Sequence, residues 1–305
     1  MLSTLNSMWS DLVGFTKVIG GGIVPYLAAV TVYIASSLVW GTRWYIILRR
    51  LGSRVSFKNI YTAIMGGILF NNITPTLKLG GEGFRAAWLR LTEDVPTERS
   101  LLSILYERVT EVPGVAIVAL IAILSGLGNY LGINYLPAIV PFILTSSWIR
   151  NKIDEVRGRL RGDVSSLLRD WRLTIQATLL SVILWFMDML RFYLIALAVG
   201  VHLSIGAVAL LSVSYLVLSF GPTPAGIGFV EGGLTGLLVG LGVPVGSAGL
   251  IVLGERLISS VLSSLLGLLL VTVRGGIKLF KEASRIAREE QGIGKSKDSA
   301  SIGLV

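Results

Sequence analysis

Long apolar stretches alternate with short polar breaks along the whole chain. The clearest are residues 23–48, 113–131, 174–201 and 247–273, each near or above the roughly 20 residues that carry a helix across a bilayer. Two further stretches, 56–92 and 204–240, are apolar at both ends and interrupted in the middle, at 71–82 and 221–228. Proline and glycine make those interruptions: Pro75, Pro222 and Pro224 each remove a backbone donor and disfavour helix at the residue before. The pattern predicts four long helices and two broken helical segments. Residues 1–22 carry Trp9, Leu12, Val13 and Phe15 with Asp11 and Lys17, which suits an interfacial helix or a weak first span.

The two interruptions say the same thing. Residues 74–83 begin Thr74-Pro75 and, six residues on, reach Glu82-Gly83; residues 223–232 begin Thr223-Pro224 and reach Glu231-Gly232 at the same spacing. Upstream, Arg43-Trp44-Tyr45 matches Arg191-Phe192-Tyr193, and downstream Glu107-Arg108 matches Glu255-Arg256. From Arg to Thr is 31 residues in the first copy and 32 in the second; from Glu to Glu is 25 and 24. Three matches in order with consistent gaps point to an internal duplication.

Charge then orients the copies. Residues 41–58 hold Arg43, Arg49, Arg50, Arg54 and Lys58 with no acid; 150–172 are rich in arginine; the tail from Arg274 is again basic. The connections near 129–137, 200–205 and 241–248 carry no Lys or Arg. Positive-inside bias puts the basic loops and the C-terminus in the cytoplasm. Parity then demands five full crossings, and it makes 56–92 and 204–240 re-entrant hairpins entering from opposite faces. The expected fold is an all-α polytopic membrane protein with two inverted-topology repeats, each containing a re-entrant helical hairpin. Its parts are an N-terminal element at 1–22, repeat 1 at 23–131, a linking span and basic loop at 132–172, repeat 2 at 173–273, and a basic tail at 274–305, partly disordered.

Composition agrees: 53% of the 305 residues are hydrophobic and 15% charged, against about a quarter charged in a soluble domain. The net charge of +9 follows from basic loops beside anionic headgroups and does not call for nucleic acid. With no cysteine, disulfides and thiolate metal sites are excluded. The single histidine, His202, falls in a polar break and reads as a surface side chain. No cofactor and no nucleotide-binding loop is implied, and no nucleophile–base arrangement suggests an enzyme.

The candidate chemistry lies in and beside the interruptions. Irregular backbone at membrane depth must be buried in protein or line a wet cavity. Gly81, Gly226 and Gly228 permit the turns, and the half-helix that follows each break presents N–H groups and a positive dipole end suited to an anion. Asn72, Thr74, Pro75, Thr223 and Pro224 border the same turns. Glu82, Arg85, Glu107, Arg108, Glu111, Asp188, Arg191, Glu231, Glu255 and Arg256 are ionisable residues in or at the ends of apolar segments, expected to face a bundle interior or cavity. Asp188 and Arg191, three apart, can pair, and ion pairs across the halves are expected to offset the remaining burial. Glu82 and Glu231 read equally as acceptors for tip amides, and Arg43 and Arg256 as side chains snorkelling to an interface. Gly232, Gly236 and Gly240 read as a close-packing face, as do Ser259, Ser260, Ser263 and Ser264.

The run Asn72-Ile73-Thr74-Pro75 with Gly80-Gly81-Glu82 and Arg85, then Glu107-Arg108, Pro222–Gly228 with Glu231, and Glu255-Arg256 resembles a known family. It is the flippase-like integral-membrane family that includes the transmembrane domain of bacterial lysyl-phosphatidylglycerol synthases and many stand-alone bacterial and archaeal members. The resemblance covers roughly residues 23–275. It implies translocation of an anionic lipid headgroup, on a phospholipid or a polyprenyl-phosphate carrier, between leaflets of the cell membrane. The soluble synthase domain of the fused enzymes is not expected here, nor their aminoacylated cargo. Two other readings stay open: an accessory subunit or enzyme in lipid-linked glycan assembly, and a small-anion secondary transporter. Expected partners are membrane lipids with anionic headgroups, with a homo-oligomer or a glycosyltransferase also compatible.

Overall fold

The computed structural model describes residues 2–74, 79–125, 167, 169–275, 281, 282 and 285, and for residues 2–21 and Leu79 the backbone alone. Among the described residues every regular element is a helix. In chain order these are α1 (Leu2–Arg50), α2 (Phe57–Ile73), α3 (Leu79–Glu93), α4 (Thr97–Leu124), α5 (Trp171–Ala198), α6 (Ile205–Leu218), a 3-10 turn (Pro224–Gly226), α7 (Phe229–Gly240) and α8 (Val245–Gly275). Within α8, residues Leu257–Leu262 widen into a π-helical turn.

Three of these helices, at Gly22–Arg50, Trp171–Ala198 and Val245–Gly275, are long and apolar enough to cross a membrane. They match three of the five expected crossings. A fourth, α4, has 28 residues but carries Glu107, Arg108 and Glu111 in its middle. The fifth, at 136–149, lies outside the described residues, as do the basic loop before residue 167 and most of the tail. The element expected at 1–22 has no break after it, because α1 runs on through Pro25 to Arg50.

The ends of the shorter helices follow from local chemistry. Ser56, in an extended conformation, accepts the Asn59 amide N–H on its side chain and starts α2; Ser204 accepts that of Ala207 and starts α6. Thr74 is extended (φ −123°, ψ 137°) and ends α2, as a residue before proline tends to be. Gly228, at φ +87° in a region glycine favours, leads into α7.

The long helices α1 and α5 lie antiparallel along each other. At one end Gly22 sits so close to the Ala198 carbonyl that a Cβ would fall 2.7 Å from its oxygen; at the other Arg50 pairs with Asp170. The Leu173 amide, with Arg50 beside it, holds the Asp170 carboxyl below the usual carboxylate range. α2 packs on α3, α4 on α5 and α6, and α7 on α8. One apolar cluster, with Trp44, Phe70, Phe84 and Trp88, joins α1, α2 and α3 with Ile104 of α4 and Val271 of α8; another, with Phe192, Leu211, Leu234 and Ile251, joins α5, α6, α7 and α8 with Tyr33 of α1 and Val118 of α4.

The glycine stripe on α7 differs from expectation. A Cβ at Gly232 or Gly236 would meet nothing within 4 Å, while Gly233 lies tight against Leu218. The buried face of α7 is set by Val230, Leu234 and Leu238, which turns the stripe away from the protein. His202 is exposed, as its polar setting suggested.

Candidate functional site

Five arginines and six acids from the apolar helices form two ion-pair networks, one in each half. In the first, the Arg43 guanidinium on α1 pairs with Glu107 at 3.3 Å and Glu111 at 2.6 Å on α4. Its other nitrogen donates to the Ser181 hydroxyl on α5 at 2.6 Å. Arg85 on α3 donates to the second Glu107 oxygen at 2.5 Å and lies over the Trp44 ring, 3.9 Å from its centroid. Trp40 donates its indole N–H to Glu107 at 3.0 Å. Arg108 pairs with Glu82 in the first turn of α3 at 2.6 Å and with Glu111 at 3.0 Å.

The second network repeats this plan. Arg191 on α5 donates Nε and Nη2 to the two oxygens of Glu255 on α8, both at 3.0 Å, and Nη1 pairs with Asp188 at 2.8 Å. Arg256 pairs through Nε with Glu231 in the first turn of α7 at 2.7 Å. Its Nη2 donates to the Ala225 carbonyl at 2.9 Å, a residue held at φ +53°. The other Glu231 oxygen accepts the Gly228 amide at 2.7 Å. Burying such charges is tolerable only when each finds partners of opposite sign.

Among the described residues, the ion pairs of Arg43, Arg85, Arg108, Arg191 and Arg256 each join two residues of one half, contrary to the pairing across the halves expected from sequence. The reason is connectivity: α3 and α4 are joined by three residues, and α7 and α8 by four, so tip acids and following arginines are neighbours from the start. Arg43 is 1% exposed and Arg256 is buried too, and neither snorkels. Glu231 takes the structural role of a tip-amide acceptor, while Glu82 turns its carboxylate to Arg108.

The first broken segment reaches the second half. α2 packs against the turn Pro224–Gly226 and against the π-helical turn of α8. The Asn72 amide donates to the Ser260 carbonyl at 3.2 Å and the Ser264 hydroxyl at 2.9 Å. Asn71 accepts the Gly81 amide at 2.6 Å, and a Cβ at Gly81 would strike Asn71 and the Gly67 carbonyl, each at 2.4 Å. Thr74 donates to the Phe70 carbonyl and Thr223 to that of Ile227, both at 2.7 Å. Pro75 lies outside the described residues.

The predicted site residues thus divide. Glu82, Arg108, Asp188 and Glu231 keep part of their side chains accessible, whereas Arg85, Arg191, Glu255 and Arg256 are buried in pairs. Glu107 and Glu111 belong to the same cluster, and so does Arg43. The repeat marks two of them in the sequence, since Arg43 matches Arg191 and Glu107 matches Glu255. Nothing in the sequence singled out Ser181 or the Trp40 indole.

A family profile described as the lysylphosphatidylglycerol synthase TM region matches residues 7–267. A UPF0104 membrane protein of Pyrococcus horikoshii is 25% identical over 286 residues, covering 80% of this chain and 85% of that protein. One of Methanocaldococcus jannaschii is 25% identical over 280 residues, with 79% and 82% covered. One of Methanothermobacter thermautotrophicus is 27% identical over 297 residues, with 81% and 83% covered. No solved structure matches the chain.

Proposed function

This chain belongs to the lysylphosphatidylglycerol synthase TM-region family and is a helical membrane protein, and from that premise we propose that it carries an anionic lipid headgroup between leaflets. The headgroup belongs to a phospholipid or a polyprenyl-phosphate carrier. Transport proceeds by alternating access of two inverted halves, without chemistry on the cargo.

The observation that carries this reading is one pairing plan found twice. Arg43 with Glu107 and Arg108 with Glu82 correspond, residue for residue along the duplicated sequence, to Arg191 with Glu255 and Arg256 with Glu231. The antiparallel course of α1 and α5 fits an inverted relation, because these helices carry the matched Arg43 and Arg191. The contact of α4 with α6 has its counterpart in that of α8 with α2, where a Cβ at Gly267 would fall 2.4 Å from the Met65 carbonyl oxygen.

Helix length supports re-entry. With 17, 15, 14 and 12 residues, α2, α3, α6 and α7 measure roughly 18–25 Å at 1.5 Å per residue, short of the roughly 30 Å hydrocarbon core. α2 packs against the break at Pro224–Gly226, and broken helices at the interface of two repeats are where inverted-repeat transporters hold cargo. The basic loops support a cytoplasmic C-terminus and a place in the cell membrane.

The test is reconstitution of the pure chain in liposomes with a headgroup-labelled phospholipid in one leaflet. Acquired access of the label to a membrane-impermeant quencher, over protein-free vesicles, is the expected result. Exchange no faster than in protein-free vesicles, for both phosphatidylglycerol and a polyprenyl phosphate, would sink the proposal.

A further inference from the structure

We propose that the Nε/Nη2 edge of Arg108 is the receiving fork for the lipid phosphate, and that the phosphate enters by displacing the Glu82 carboxylate. This rests on the lipid-transport reading above and names the contact it leaves open.

Accessibility separates Arg108 from the other four network arginines. Its side chain is 44% exposed, against 10% for its repeat counterpart Arg256, 5% for Arg191, 4% for Arg85 and 1% for Arg43. Its neighbour on α4, Val109, is 50% exposed, and Ile117 and Leu120 further along are exposed apolar residues too. The guanidinium is thus the accessible one of the five, next along α4 to the exposed apolar side chain of Val109.

Bond geometry separates it as well. Arg191 gives Nε and Nη2 to two different oxygens of Glu255, the parallel fork in which guanidinium and carboxylate match best. Arg108 gives the same two nitrogens to a single oxygen, Glu82 Oε1, at 3.1 and 2.6 Å. Both N–H groups then converge on one acceptor instead of making the two parallel bonds of a matched fork. A phosphate offers two oxygens at the spacing this edge wants, so exchange replaces a shared bond with a parallel pair. Glu111 stays on Nη1 at 3.0 Å and keeps the side chain aimed. At the second tip the same edge is closed, because Arg256 divides it between Glu231 and the Ala225 carbonyl. The two halves are thus in unlike states, one tip able to receive and the other sealed.

Binding of short-chain phosphatidylglycerol to the purified, detergent-solubilised chain tests this, followed by calorimetry, with inorganic phosphate as a parallel arm. Arg108→Gln is expected to weaken lipid binding at least about tenfold, the loss of a charge-assisted pair. Arg108→Lys, which keeps the charge without the fork, should fall between. Glu82→Gln is expected to tighten binding about two- to fivefold, the worth of an accessible ion pair removed as competitor. Unchanged binding in Arg108→Gln, or weaker binding in Glu82→Gln, would overturn the exchange. Inorganic phosphate binding as tightly as the lipid would show a free-anion site and overturn the lipid assignment. Leaflet exchange by Arg108→Gln at the unaltered rate would sink this fork while leaving lipid transport standing. Binding that follows the pattern in a chain that exchanges no lipid would sink transport and leave the fork.

Discussion

Arg191 holds Glu255 by two parallel hydrogen bonds of 3.0 Å, and the carboxylate has no exposure at all. The pair ties α5 to α8 inside the second half. Its strength depends on both members being present, since removing one leaves the other charged in an apolar interior. Arg191→Met is therefore expected to destabilise the protein by about 3–5 kcal/mol. Arg191→Met combined with Glu255→Leu should recover most of that loss, because the fully buried Glu255 charge is then removed as well, while Asp188, which loses its Nη1 pair, is part-exposed. Thermal unfolding of the purified variants in one detergent reads the difference. A double variant less stable than either single one would contradict the pairing.

The two serine caps provide a comparison between the repeats. Ser204 only caps α6, accepting the Ala207 amide, so Ser204→Ala is expected to cost about 1 kcal/mol. Ser56 caps α2 and also donates its hydroxyl to Glu93 at the end of α3, at 2.7 Å. Ser56→Ala should cost more, by about another 0.5–1.5 kcal/mol for the second bond. Equal midpoint shifts for the two variants in chemical unfolding would show that Glu93 adds nothing to the cap.

Those caps also mark where the sequence was most readable. Residues 56 and 204 stand out as starts because apolar patterning resumes there after polar breaks, and a side-chain oxygen at such a point has an unambiguous local use. Membrane class, helical content and the positions of both interruptions were legible for the same reason: each depends on composition or on proline and glycine within a few residues. Partner choice was not. Whether Glu107 meets Arg43, Arg85 or an arginine of the other half depends on which faces of α1, α3 and α4 turn inward, and a charged residue in an apolar helix does not state its direction. Gly232 and Gly236 misled similarly, since a small-residue stripe looks the same whether it faces protein or opens outward.

The approach of α8 to α2 depends on the absence of a side chain. A Cβ at Gly267 would lie 2.4 Å from the Met65 carbonyl oxygen and 2.9 Å from its carbon, both backbone atoms that cannot swing aside. Gly267→Ala must push the helices apart and is expected to cost about 1–3 kcal/mol. The shift should also weaken the Asn72 bonds to Ser260 and Ser264, which bridge the same two helices. Adding Asn72→Ala to Gly267→Ala should then cost less than Asn72→Ala alone. Full additivity in a double-mutant cycle would mean the two contacts are independent.

Glu82 and Glu231 occupy matched positions yet carry different loads, and amide substitution should separate them. Glu231 accepts the Gly228 amide with one oxygen and pairs with the buried Arg256 through the other, both at 2.7 Å. A glutamine can keep one acceptor but withdraws the counter-charge, leaving Arg256 with the Ala225 carbonyl. Glu231→Gln is expected to destabilise the fold by several kcal/mol, in the manner of a buried pair broken on one side. Arg108, which Glu82→Gln would release, keeps Glu111 and its own accessibility, so that change should cost about 1 kcal/mol or less. Melting midpoints of the two variants, measured side by side, decide the matter. If Glu82→Gln proves as damaging as Glu231→Gln, the first tip is sealed as tightly as the second and Arg108 is not available to a ligand.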